Sequence, residues 1–361
     1  MFTLLWLACS AECPPNSSRN SDGLCQLHDT DEDPAPSGDS GDVDTGDVTE
    51  GDCPAKTSTD AYEQYPVYID GTLRRFVTIQ DGIWGAEDGD TVVVCPGTYS
   101  EVIDLKGKLI TLRSAAGARQ TIIDAQGGGS VVTLRNYEPA QTVLEGFTLT
   151  GGDAWVGDKA DGHGGGIFVE WGSPTIRHNI ITNNTAMIAG GVYIRNGGAN
   201  VHNNIIANNR ATEGGGGIVC TACSGEVMFN TLFKNEAHIG PAAEWYWGIA
   251  DMVGNIIVSD ETFGDKAAVR FMEPRGDDFT VSQNLLWPHD EFVNTQGPDA
   301  DAWPAVDNLF TNPMLADPDG GDFRPAAGSP AIDAGPAGVT DPDGSAADIG
   351  AFGGPHGDWE G

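Results

Sequence analysis

An asparagine returns at nearly constant intervals through the middle of this chain. Asn179, Asn204, Asn230, Asn255 and Asn284 follow one another at steps of 25, 26, 25 and 29 residues. Each is the fourth residue of a similar hexapeptide, from Ile176-Arg177-His178-Asn179-Ile180-Ile181 to Val281-Ser282-Gln283-Asn284-Leu285-Leu286. A second track precedes it in each unit: Gly166-Ile167-Phe168-Val169, Gly191-Val192-Tyr193-Ile194, Gly217-Ile218-Val219-Cys220, Ala243-Glu244-Trp245-Tyr246 and Ala268-Val269-Arg270-Phe271, at steps of 25, 26, 26 and 25. Two tracks holding one period describe a solenoid. Each unit contains short β-branched and apolar runs broken by Gly and Asn, and none has the length or period of a helix. The units are therefore coils of a parallel β-structure, stacked about 4.8 Å apart. Stacking places equivalent side chains over one another, so the asparagines form a ladder of amide bonds, each worth roughly 1 kcal/mol net. Asn and Gly are also expected to supply the left-handed backbone of the corners. Gly146 is expected where later coils carry the ladder Asn.

These repeats resemble the right-handed parallel β-helix of the pectin lyase-like superfamily, and the Asn-Asn-turn-Gly-Gly-Ile cadence is similar to bacterial surface β-helix repeats. The resemblance covers roughly residues 75–290 and implies an all-β, right-handed parallel β-helix. Residues 76–101 resemble the start of many such proteins: Thr78 N-caps a short helix whose apolar face is Ile79, Ile83 and Ala86, closing the open end of the solenoid. Residues 291–361 break the period and resemble the C-terminal domain of bacterial cell-surface β-helix proteins. They are expected to cap the far end. The domain reading is 1–9 signal remnant, 10–60 acidic tether, 61–290 β-helix and 291–361 C-terminal capping domain.

Charge is unevenly spread. The 361 residues carry a net charge of −35, and residues 29–52 hold ten carboxylates and no Lys or Arg. So acidic and apolar-poor a stretch cannot bury a core and should be a disordered, self-repelling tether. The overall charge excludes nucleic acid as a partner. No cofactor or metal motif is present. Calcium is the one ion the carboxylates could take, yet there is no EF-hand loop and no RTX nonapeptide. Leu7-Ala8-Cys9 resembles the end of a bacterial lipoprotein signal, with Cys9 as the lipid attachment site. This implies a monomer held at the outer-membrane surface by a lipid anchor, or secreted. Six cysteines remain, an even number suited to an exported protein. The expected pairs are Cys13 with Cys25, Cys53 with Cys95, and Cys220 with Cys223.

The corner from Gly152 to Gly166 is the longest of the periodic region and carries Trp155, Lys159, Asp161 and His163. In the strand that follows, alternation with Ile167 and Val169 inward turns Phe168 and Glu170 outward. The same register exposes Tyr193 and Arg195, then Trp245 and Trp247. Aromatics at coil spacing suit stacking on sugar rings, and Lys159 and Arg195 could pair an acidic sugar. The expected function is polysaccharide binding at the cell surface. Two alternatives stand beside it: a polysaccharide lyase or glycoside hydrolase of pectin lyase-like fold, and a structural or adhesive protein with no catalytic site. Gly162-His163-Gly164 matches the Gly-His-Gly of polygalacturonase-like glycosidases, but their paired Asp residues are missing upstream, so no catalytic residue is assigned.

The lipoprotein reading makes a direct prediction. Expressed with an intact signal in a bacterial host fed labelled fatty acid, the protein should carry label at Cys9 and lose it in Cys9→Ser.

Overall fold

The structure, a computed structural model, describes residues 65–155, 162–259, 269–272, 280–288 and 305–359, with Cys53 and the strands Ser17–Arg19, Cys25–Leu27 and Val293–Gln296. Cys9, Cys13, Lys159 and Asp161 lie outside the described residues, as does the side chain of Cys25. Within residues 1–48, Ser17–Arg19 and Cys25–Leu27 form an antiparallel hairpin with Arg19 opposite Cys25. That segment of the expected tether therefore has local strand structure.

The rest is a parallel β-solenoid. Each coil contributes one strand to each of three sheets of eight, eleven and nine strands. One coil shows the pattern: Ile167–Glu170 in the first sheet, Thr175–Arg177 in the second and Ile180–Thr182 in the third. Ile167, Val169, Ile176 and Ile181 point inward into one continuous core. The second sheet is closed at its N-terminal end by Val67–Ile69 and Arg75–Phe76, which pair antiparallel. The helix Ile79–Gly85 lies beside them with Ile79 and Ile83 fully buried. Thr78 Oγ1 accepts from Asp81 N at 3.0 Å, while the Glu101 carboxylate accepts from Ile79 N and Gln80 N at 3.0 and 3.1 Å. The free amides of the helix start are thereby satisfied.

The asparagine ladder is present at the corner between the second and third sheets. Backbone N and side-chain Nδ2 of Asn179 both donate to Asn204 Oδ1, at 3.0 and 3.1 Å. The same pair of bonds links Asn204 to Asn230, Asn230 to Asn255, Asn255 to Asn284, and Asn284 to Asn308. Each Nδ2 also donates to a carbonyl one coil back, as Asn204 does to Ile176 O at 2.9 Å. A second ladder, not anticipated, runs along the corner after the third sheet through Asn184, Asn209 and Asn235.

Three local expectations are corrected. The ladder asparagines are not the left-handed residues; those immediately precede them, namely His178, Asn203, Phe229, Gly254 and Gln283. Gly146 belongs to that preceding column, and Phe147 occupies the Asn position, its N–H donating to Asn179 Oδ1 at 3.1 Å. The glycines of the Gly-Gly cadence answer to close packing instead of a positive φ. A Cβ on Gly166 would lie 2.7 Å from Gly191 O, and one on Gly191 would collide with Gly217 O.

Coiling continues past residue 290. Ala305–Val306 and Leu309–Phe310 extend the second and third sheets in parallel register. The C-terminal segment then runs along the side of the solenoid, not over its end. Phe323, Ala331, Ile349 and Ala351 cover the outer side chains of the third sheet, Ile205, Phe233, Ile256 and Leu285. Arg119 Nη2 reaches Gly321 O at 2.8 Å, far back along the axis. The disulfides Cys53–Cys95 and Cys220–Cys223 are both formed, the second inside the core.

Asn204→Ala should cost roughly 1–3 kcal/mol, because it strips partners from two coils at once. Asn208, exposed and left-handed at φ 56°, tolerates Gly, so Asn208→Gly should leave the melting temperature nearly unchanged. Parallel thermal melts of the two variants test the ladder.

Candidate functional site

The outer face of the first sheet carries two columns fixed by strand register. One is Thr133, Phe168, Tyr193, Val219, Glu244 and Arg270; the other includes Glu170, Arg195, Thr221 and Tyr246. Phe168 and Tyr193 point away from the core as alternation requires, but they are only 2% and 4% exposed. With Val219, Ala189 and Ile188 they form a small separate cluster. Ile188 belongs to a short fourth sheet, Thr185–Ile188 paired with Arg210–Gly214, that precedes the first sheet in each of these coils. His163 stacks on Tyr193 at 4.6 Å, and the Arg135 guanidinium lies over Phe168 at 4.5 Å. Sequence alternation fixes which way a side chain points; it says nothing of what lies on top.

Glu170 is held between two arginines. Its Oε2 accepts from Arg135 Nε and Nη2 at 3.1 and 3.0 Å, and its Oε1 accepts from Arg195 Nε and Nη2 at 2.8 and 2.5 Å. Charge-assisted bonds on both oxygens make this a bracing ladder across three coils. Arg195 is therefore engaged with protein, contrary to its expected role toward an acidic sugar.

Trp245 is a correction of register. Ala243 pairs with Ile218 and Trp245 with Cys220, so Trp245 points inward, fully buried, with Nε1 donating to Ala250 O at 3.1 Å. The sequence tracks aligned Ala243 with Gly217, one residue out, and a one-residue slip reverses every side chain. Glu244 takes the outward place. It is buried against Gly214, where a Cβ would collide with its Oε2. Burial lifts its carboxyl above the ordinary range, with Arg270 opposing.

Several exposed aromatics lie at the next corner, between the first and second sheets. Trp171, Asn196, Ala222 and Trp247 occupy one column, all left-handed, at φ 62°, 54°, 48° and 56°. Coil-to-coil bonds confirm it: Trp171 N to Arg195 O at 3.0 Å, Asn196 N to Thr221 O at 3.0 Å, Ala222 N to Tyr246 O at 2.7 Å and Trp247 N to Met272 O at 3.1 Å. Trp171 is 49% exposed and Trp247 37%. Tyr137, 72% exposed, stacks on Trp171 at 6.3 Å between centroids. Trp247 meets Tyr246 edge-on at 4.6 Å. Three coil steps separate the two tryptophans, about 14 Å at strand spacing. Of this ridge the sequence reading found Trp247 and missed Trp171 and Tyr137. The signal was there: Trp171-Gly172, Asn196-Gly197 and Trp247-Gly248 share one place in the repeat.

The remaining expected residues do not join the ridge. Trp155 is 56% exposed at the start of the long loop, on the corner after the third sheet, where Ala154 N bonds Thr185 O. Gly162 and Gly164 are left-handed at φ 76° and 65°, so Gly-His-Gly is accounted for by its turn. A shallow polar groove of about 340 Å³ on that corner is lined by Asn183, Asn208, Thr185, Arg210, Lys234 and Glu236. Its charges are matched: Arg210 faces Glu236 at 3.9 Å, and Lys234 bonds Asp319 at 2.6 Å. Among the described residues, no three of His, Cys, Asp and Glu gather as metal ligands.

No family model and no curated protein matches this chain. Solved structures similar to it include a pectin methylesterase in complex with a hexasaccharide. That one is 13% identical, with 65% of this chain and 74% of that chain covered and a TM-score of 0.31. Another is pectin methylesterase from Erwinia chrysanthemi, 11% identical, with 62% and 70% covered and a TM-score of 0.30. Likeness at this level says nothing of ligand or reaction. The parallel β-solenoid rests on the strand pairing itself.

The buried carboxyl of Glu244 gives a signed prediction. A folded-state pKa raised above 4.5 means that stability falls as pH rises through the raised value. Glu244→Gln, which cannot ionise, should therefore melt higher than wild type near pH 7, with the gain shrinking towards pH 4. Melts across that range check it.

Proposed function

We propose that this chain is a polysaccharide-binding β-solenoid, with the corner ridge Tyr137, Trp171, Asn196, Ala222 and Trp247 as its contact surface. The observation that carries the reading is the placement of Trp171 and Trp247, both exposed, on one corner column three coils apart. Between them stand only an amide and a methyl group. A sugar chain lying along the solenoid axis can stack on an aromatic at each end and pass low over Asn196 and Ala222. Trp and Tyr offer large apolar faces at small cost in conformational entropy, which suits the flat face of a pyranose.

The ridge favours an uncharged chain over the acidic one expected from sequence. Its side chains bear no charge, Arg195 is bonded to Glu170, and a net charge of −35 repels a polyanion. The Leu7-Ala8-Cys9 motif supports display at a bacterial surface; that placement rests on the motif alone.

The test is affinity electrophoresis in gels containing galactan, methyl-esterified pectin, pectate or alginate. Wild type should be retarded most in the uncharged gels. Trp171→Ala and Trp247→Ala should lose most of that retardation, while Trp155→Ala, on a different corner, should migrate as wild type. Ala222 already holds the same left-handed column, so the alanine variants should fold. Identical migration of all four proteins in every gel would end the binding reading. Shortened polysaccharide recovered from the gel would support the enzyme alternative instead.

A further inference from the structure

His178, His202 and His356 are distant in sequence and adjacent in the fold. His178 is a left-handed corner residue, His202 stands on the second sheet, and His356 belongs to the C-terminal segment lying against them. The His202 and His356 rings are 5.3 Å apart between centroids, and those of His178 and His356 6.3 Å. Trp359 stacks on His178 at 5.4 Å and Phe352 on Trp359 at 5.6 Å. Asn203 Nδ2 donates to Ala351 O at 3.0 Å and to Gly353 O at 2.8 Å, and Ala351 N donates to Thr231 Oγ1 at 3.1 Å.

The bonding assigns the tautomers. Asn203 Oδ1 can only accept, so the 3.0 Å contact from His202 Nδ1 puts a proton there and leaves Nε2 as the basic nitrogen. His356 O likewise accepts from His178 Nε2 at 2.9 Å, leaving Nδ1 to titrate. Each imidazole thus donates from one nitrogen and has the other left to take a proton, and the His178 bond reaches the segment directly.

The charged groups around the cluster are of both signs. On the second sheet Arg177 lies beside the histidines, and its Nε is bonded to Glu145 at 2.5 Å, so that carboxylate is already matched. From the C-terminal side come Asp341, whose Oδ1 accepts Gly354 N at 2.6 Å, Asp348, whose N–H is held by Asp341, and the exposed Asp358.

We propose that residues 350–359 form an acid-released strap, latched by His178, His202 and His356, whose release uncovers the apolar outer face of the third sheet. Ile205, Ala207 and Phe233 lie under Ala351, Phe352 and Trp359 together with Phe323, and would be partly bared when the strap lifts. Burial is the first cause that lowers both histidines, His202 to about 4 and His178 in the same direction; the bond to Asn203 opposes it in one and that to His356 O in the other. A depressed imidazole means that the released state binds more protons. Docking is therefore complete above the ordinary histidine pKa of 6.5 and weakens as pH falls from there towards the His202 value of about 4.

Hydrogen exchange of the whole chain, corrected for intrinsic rate, tests this at pH 7.5 and 5.0. The amides of Ala351, Gly353 and Gly354 should lose on the order of tenfold or more in protection at the lower pH. The ladder amides of Asn204 and Asn230 should keep theirs. In the double variant His178→Gln, His202→Gln the strap's pH dependence should disappear. Should that variant fail to dock at either pH, His356→Asn, exposed and outside the solenoid, takes its place and should reduce the dependence. Equal wild-type protection at both pH values overturns the proposal. So does a pH dependence that persists in every variant, which would place its cause outside the histidines; Asp341 and Asp348, both raised by burial, would strengthen docking as pH falls.

Discussion

Turning a chain around a dry interior buries backbone polar groups at the corner between the second and third sheets and at the corner after the third, where strand pairing does not meet them all. Buried groups of this kind must find partners or cost most of what folding gains. The stacked asparagines meet that demand. One amide oxygen accepts two N–H groups from the coil before it, and the amide nitrogen returns a bond to a carbonyl there. Because the same residue does this in successive coils, each coil's corner is fixed by its neighbours, and the register of all three sheets follows. The left-handed residue just before each ladder Asn completes the bend. Everything else depends on this register: which side chains face the core, which form outer columns, and which stand on the corners.

The three sheets then part company. The second alternates, with one face inward and polar residues such as Arg177 and His202 outward. The third reads as paired apolar residues, Ile205-Ile206, Ile256-Ile257 and Leu285-Leu286, because both faces are buried, one in the core and one under the C-terminal segment. That segment lies along the flank of the solenoid and crosses several coils. The outer face of the first sheet is also covered in part, by the fourth sheet, His163 and the Arg135–Glu170–Arg195 brace. With two faces covered, the large exposed aromatics of the first-to-second corner stand as a ridge, and this is why the proposed contact surface sits on a corner.

What the sequence determined by itself is whatever repeats or is local. The period, the parallel β-solenoid, the Asn ladder and the helix capped by Thr78 were all legible, because each follows from spacing or from a residue's own conformational preference; the expected pairs Cys53–Cys95 and Cys220–Cys223 also form, though spacing alone did not dictate them. The apolar doublets of the third sheet also signalled a covered face, though not by what. Tertiary structure decided the rest. A coil of 25 residues and one of 26 look alike in sequence, yet the difference of one residue turned Trp245 from surface to core and put Glu244 in its place. Phe168, Tyr193 and Arg195 point outward as alternation requires, but their exposure depends on residues that reach them from other strands and loops. The histidine cluster joins positions 178 residues apart. Periodicity constrains direction, whereas burial and pairing depend on which distant segment comes to rest on that face, and this is settled only when the chain is packed.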